Sequence, residues 1–315
     1  MGKNVTCSIS HKVMLAHGHP LPAISSRQAA RLDFDVIHVG DTPHVSVNID
    51  RRLDQHQATS LANALLTQVE PAYDRNASYF GAGLDEKQVE LVIAELSPNS
   101  DGSGGAYHYG CDLTSGRVLY CDADFSDPTT TLGLFIAELD EAFQGDPSNP
   151  NQGWGCGFSN GEAHSRVAAF LASGGPRGSL AAYTTGPAWD QVGRPDFVTN
   201  TEQTDRNAVS TGCGMIFIDW LFSLGYSFAQ ITQAAAPTLA GVYQNLTNKT
   251  SALQDFANAI SNVQILDDDP FLSYGSALQG FGRVRTPVAS MDGQLSIDPV
   301  RKTVTLPRGW SAMSQ

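Results

Sequence analysis

Carboxylates and cations crowd two neighbouring stretches in the middle of the chain, and any chemistry has to start from them. TTTLGLFIAELDEAFQ, residues 129–144, carries Glu138, Asp140 and Glu141; NGEAHSRV, residues 160–167, carries Glu162, His164 and Arg166. Paired carboxylates support general acid and base work, or hold a hard cation through oxygen. Glu138 and Glu141 are three residues apart and so share a helical face with Leu134 and Ala137. Leu132, Phe135, Ile136, Leu139 and Phe143 form an apolar stripe on the other side. A helix with two apolar faces belongs between two layers, where Glu138 and Glu141 look into a cleft; the simpler alternative is a solvated face. Ser159-Asn-Gly-Glu162 has capping-box spacing, which makes Glu162 first of all a cap. Arg166, one turn on, fits a structural ion pair. His164 lies two residues beyond Glu162, about 200° round a helix at 100° per residue, and reads as a packed or surface histidine. Asp140 reads as surface. His108 is a further cleft candidate, although no spacing argument places it there.

The elements that must position these residues follow from caps and periodicity. Asp127 as N-cap and Pro128 at the first helical position start the central helix. Before it, Phe34–Asp50 reads as a hairpin around Gly-Asp-Thr-Pro, and Asp54 with Gln57 opens a helix carrying Leu61, Leu65, Val69 and Tyr73 on one face, with Pro71 bending its end. VELVIAEL, 89–96, is a strand, and YHYGCDLTSGRVLYCDAD, 107–124, a hairpin. After the central helix the pattern becomes helical. TGCGMIFIDWLFSLG, 211–225, is apolar nearly all round and marks a buried helix; Ser227 with Gln230 and Ser251 with Gln254 have capping-box spacing, and TLAGVYQNLT between them is helical. Trp154 and Trp220 are expected in the core. GQLSID and TVTLP near the C-terminus suggest a β-hairpin. The expected fold is α+β: residues 1–150 a mixed sheet layer ending in the central helix, 151–265 a helical layer, 266–315 a tail with the β-hairpin.

With 315 residues, 41% hydrophobic and 16% charged, the chain can bury a large core. A net charge of −13, without a basic cluster, argues against nucleic acid or anionic lipid as partner. No apolar run approaches the roughly 20 residues of a membrane span, and the N-terminus has no signal-peptide core. That leaves a cytoplasmic location or export by a non-Sec route. Cys111 and Cys121 lie symmetrically about Gly116, so a disulfide across the hairpin stands beside the alternative of two buried thiols. Cys156 and Cys213 are candidates for a second bridge, leaving Cys7 single. Bridges would place the protein outside the reducing cytosol.

This order of elements resembles the zincin metallopeptidase architecture, in particular the plant basic-secretory-protein type of peptidase. AELDEAF (137–143) takes the place of the HExxH helix, NGEAHSRVAAFLASG (160–174) that of the next, glutamate-bearing helix, and MIFIDWL with TLAGVYQNLTNKTSALQDF the closing helices. GWGCGFSNGEAHSRV, TDRNAVSTGC and LGYSFAQI are similar to a set of bacterial proteins of this kind. The resemblance implies that Glu138 stands at the general-base position, Ala137 and Glu141 at the two histidine positions, and Glu162 at the third-ligand position. Ala137 binds nothing, and carboxylates alone suit Ca²⁺, Mg²⁺ or Mn²⁺ better than zinc. The cofactor expectation is therefore none, or an unidentified divalent cation on Glu141 and Glu162. The functional expectation is a zincin-like protein that is non-catalytic and binds a protein or peptide partner or serves in assembly. The alternative is a metal-dependent hydrolase, a peptidase, with Glu138 as base; a two-carboxylate carbohydrate-active enzyme ranks below both.

Overall fold

Two short strands, β1 (Val36–Asp41) and β2 (Val45–Asp50), pair antiparallel around the Thr42–Val45 turn, with an irregular register between His38 and Gly40. In the computed structural model the described residues are 34–83, 88–96, 105–108, 118–204 and 206–274, with the backbone of 296–298 and 303–305. Strand β3 (Val89–Ala94) runs parallel to β2, β5 (Val118–Asp122) parallel to β3, and β4 (Ala106–His108) antiparallel on the edge. The strand order is β1-β2-β3-β5-β4. Both faces of the inner strands β2 and β3 are largely buried; β3, VELVIA, is accordingly mostly apolar, whereas β2, VSVNID, alternates and buries Asn48 and Asp50.

Two helices connect β2 to β3: α1 (Gln55–Leu66), whose N-cap Asp54 accepts from Gln57 N, and α2 (Val69–Phe80). The single helix expected from the Leu61–Tyr73 face is thus two. Proline cannot continue a preceding helix, because it lacks an N–H and its ring collides with the carbonyl four residues back. Pro71 therefore stands in the first turn of a new helix, and the chain breaks at Thr67-Gln68.

The central helix, α3 (Pro128–Gly145), starts as predicted, with Asp127 accepting from Thr129 N at 3.0 Å. Every residue from Thr130 to Gln144 is buried. Helix α4 (Ser159–Ser173) packs on α3, and α6 (Ala208–Ser223) packs on α4. Gly161 is needed where α3 and α4 meet: a Cβ there would collide with Gly155 O and Gln144 Oε1. The helical layer is completed by α5 (Gly186–Gln191), α7 (Phe228–Gln233), α8 (Leu239–Thr247) and α9 (Ala252–Ile260). The Ser227–Gln230 capping box is present in full, and Trp154 and Trp220 are buried. Two expected caps are not formed. Ser251 Oγ donates to Asp255 instead. Ser159 lies inside α4 and accepts from Glu202 N at 3.1 Å, because the loop before α6 comes back against this end of the helix.

Register settles the cysteines. Cys121 lies opposite Ala106 across β4 and β5, five residues away from Cys111. Cys121 and Cys213 are free thiols sunk in the sheet and in α6, and Cys156 is disulfide-bonded. Neither the Cys111–Cys121 nor the Cys156–Cys213 bridge exists; the partner of Cys156, like Cys7 and Cys111 themselves, lies outside the described residues. Burial raises both free thiols' pKa, and the nearby Glu138 carboxylate adds to the effect on Cys121.

The architecture is α+β, with nine α-helices and a five-stranded mixed sheet among the described residues. The chain divides into two compact units, residues 1–278 and 279–315, so the sheet and helical layers belong to one unit. The second unit contributes three-residue strands β6 (Ser296–Asp298) and β7 (Thr303–Thr305); the connection expected to make them a hairpin lies outside the described residues. No helix among the described residues is long and apolar enough to cross a membrane.

Candidate functional site

Successive carboxylates on α3 point to different partners, as 100° per residue requires. Glu138 reaches the edge strand, where its Oε2 is 2.6 Å from His108 Nδ1. Both side chains are buried, 0% and 7% exposed. A carboxylate accepts, so Nδ1 is the donor and the other ring nitrogen is turned away from Glu138. That nitrogen, Nε2, lies 3.6 Å from Cys156 Sγ, and the same sulfur lies 3.6 Å from Glu141 Oε2. Ser165 on α4 approaches the other Glu141 oxygen at 3.4 Å. Strand, helix and loop thus bring His108, Glu138, Glu141 and Cys156 into one cluster. The Gly-Trp-Gly-Cys-Gly loop delivers the sulfur: Gly153, Gly155 and Gly157 all have positive φ, which glycine adopts without steric cost and other residues resist.

Asp140 is fully buried, so its expected surface placement is corrected. The reason is that α3 has no solvent face at all. Asp140 Oδ1 accepts from His164 Nδ1 and from Gln144 Nε2, each at 2.8 Å. On the far side of the imidazole, Nε2 meets Thr232 Oγ1 at 2.8 Å, while that hydroxyl donates its own proton to Phe228 O. Nδ1–H donates to the Asp140 carboxylate, and both edges of the ring have a polar neighbour. Phe228 stacks on the ring at 4.5 Å and Trp154 lies tilted at 4.3 Å. His164 is a packed histidine, built into the layer contact.

Glu162 is bound by Arg166 Nε, one turn along α4; Arg166 Nη1 also donates to Tyr183 O at 3.2 Å. Both residues are buried. Two groups of described residues bring three ligand atoms within 4.8 Å of one another: His108, Glu141 and Cys156, and His44, Glu70 and Asp74. Glu162 belongs to neither. Zinc held as in zincins does not fit here, because Ala137 has no donor atom and Glu162 is engaged by a guanidinium.

Near-neighbour spacing along α3 and α4 made Glu138, Glu141, Glu162 and Arg166 visible in the sequence. Cys156 as part of the site, Ser165 and Thr232 were missed, since contacts across strand, helix and loop leave no periodic trace. The alternating glycines of GWGCG were the available signal for Cys156.

No family model matches the chain, and no curated protein matches it. What fold and site define together is a class: an α+β protein whose central helix is buried on all sides and carries Glu138 and Asp140 into internal pairs with histidines.

Proposed function

We propose that the protein is a zincin-like scaffold without the peptidase zinc centre, which acts by binding a protein or peptide partner or in assembly. One observation carries this reading. Where a peptidase would present donors to zinc, Ala137 is inert, Glu162 is neutralised by Arg166, and Glu138 is held by His108. The zincin-like half is supported by the antiparallel edge strand β4 beside β5 and by α3 following it, backed by α4. For the binding half there is support in Leu266 and Leu272, 71% and 64% exposed, on the segment whose Asp268 and Asp269 are turned inward.

His108 and Glu141, brought together beside Glu138, favour a second reading, a metal-dependent hydrolase with Glu138 as base. Metal analysis of the purified, disulfide-intact protein, together with cleavage of a broad peptide panel, separates the two. The binding reading expects no stoichiometric divalent ion and no turnover. Turnover that disappears on metal removal and in Glu138→Gln would overturn it.

A further inference from the structure

We propose that reducing the Cys156 disulfide opens a site for a borderline dication, Zn²⁺ in the first place. Its donors are the Cys156 thiolate, His108 Nε2 and a Glu141 carboxylate oxygen. The inference goes beyond the binding function proposed above and does not depend on it.

Three features of the cluster carry it. Zinc bonds of about 2.3 Å to sulfur and 2.0–2.2 Å to nitrogen or oxygen, at tetrahedral angles, place such donors about 3.5 Å from sulfur. The two edges that meet at Cys156 Sγ, to His108 Nε2 and to Glu141 Oε2, are both 3.6 Å. Glu138 adds the second feature: by accepting from His108 Nδ1 it fixes the tautomer that offers the Nε2 lone pair, the carboxylate–histidine–metal arrangement of natural zinc sites. The third is charge. A buried thiolate 3.6 Å from a carboxylate is repelled unless a cation lies between them.

Oxidation state gates the site because a disulfide sulfur carries no negative charge and is a poor ligand. A dithiol reductant supplies the two electrons: it closes to its own disulfide while Cys156 and its partner leave as thiols. Metal binding then displaces the Cys156 proton to solvent. The three donors among the described residues leave one tetrahedral position for a further ligand.

The test uses the full chain with Co²⁺ as a spectroscopic probe, after reduction with a phosphine, which takes an oxygen from water and yields two thiols. Reduced protein should bind one Co²⁺, with a thiolate-to-cobalt charge-transfer band and tetrahedral d–d bands displaced by Zn²⁺; oxidised protein should show neither. Cys156→Ser and His108→Ala should lose the bands, and Cys213→Ser should keep them. Glu138→Gln keeps all three donors and should weaken binding about 10–100-fold. In the unmutated protein Zn²⁺ should also protect Cys156 from alkylation, a readout that does not depend on any variant folding. Equal binding by oxidised and reduced protein, a band that survives in Cys156→Ser, fast alkylation of Cys156 that metal does not slow, or unfolding on reduction would each overturn the proposal.

Discussion

Substituting Asp219→Asn should leave the protein little changed near pH 4 and stabilise it progressively as pH rises from there towards 9. Asp219 sits in α6 with no exposure and accepts from Phe271 N at 3.0 Å. Beside it Asp269 accepts from Ser273 N at 2.5 Å and Tyr274 N at 3.3 Å, so two carboxyl groups hold one loop. Burial, and next the Asp269 charge, push the Asp219 carboxyl from 3.8 up to about 9; burial raises Asp269 as well. Between those two values the folded protein keeps a proton that the unfolded chain has released. Stability from this site is therefore present at low pH and is lost as pH rises through the window. The loss is at most about 1.4 kcal/mol per pH unit, or about 3 kcal/mol between pH 6 and pH 8. Asparagine is a neutral isostere that still accepts from Phe271 and offers an N–H to Asp269. Asp267, which acts on Asp269, and Tyr274, which feels both carboxyl groups, are present in both proteins. Urea unfolding at fixed ionic strength from pH 5 to pH 9 measures the difference. Unmutated and variant curves that run parallel, or a variant less stable at pH 8, would refute the shared proton.

Two further predictions concern the charges between the layers. Asp140→Ala removes the acceptor of the buried His164 Nδ1–H and of Gln144 Nε2, among Phe228, Trp154 and Phe80, and should cost about 1–3 kcal/mol, read from denaturant midpoints at neutral pH. Arg166→Met leaves the Glu162 carboxylate buried against an apolar chain and should cost a similar amount, whereas Arg166→Met with Glu162→Gln removes both charges and should recover most of the loss. Recovery below a third would mean that Arg166 acts chiefly through Tyr183 O and Asp268, not through Glu162.

How much of this was legible in the sequence depended on the range of the interaction. The start of α3 was written in Asp127-Pro128, and α6 in an apolar run with no polar face. Glu162 with Arg166 could be read because both lie on one helix, one turn apart. Glu138 with His108 could not: the contact joins α3 to β4 and depends on the register of an edge strand that no local residue announces. The same limit misplaced the cysteines. Symmetry about Gly116 suggested that Cys111 faces Cys121, but the pairing frame sets Cys121 opposite Ala106. Asp140 was misread for a different reason. Amphipathic reasoning assumes a helix with one wet side, and α3 has none, so its most polar residues mark internal contacts.

The two free thiols lie in different layers, Cys121 on a parallel strand and Cys213 on the helix behind α4, and neither has any surface exposure. Each can react with a maleimide only while its own surroundings open. Their labelling rates in native buffer therefore act as two internal clocks: equal rates mean that sheet and helices breathe as one cooperative unit, and unequal rates identify the layer that lets go first.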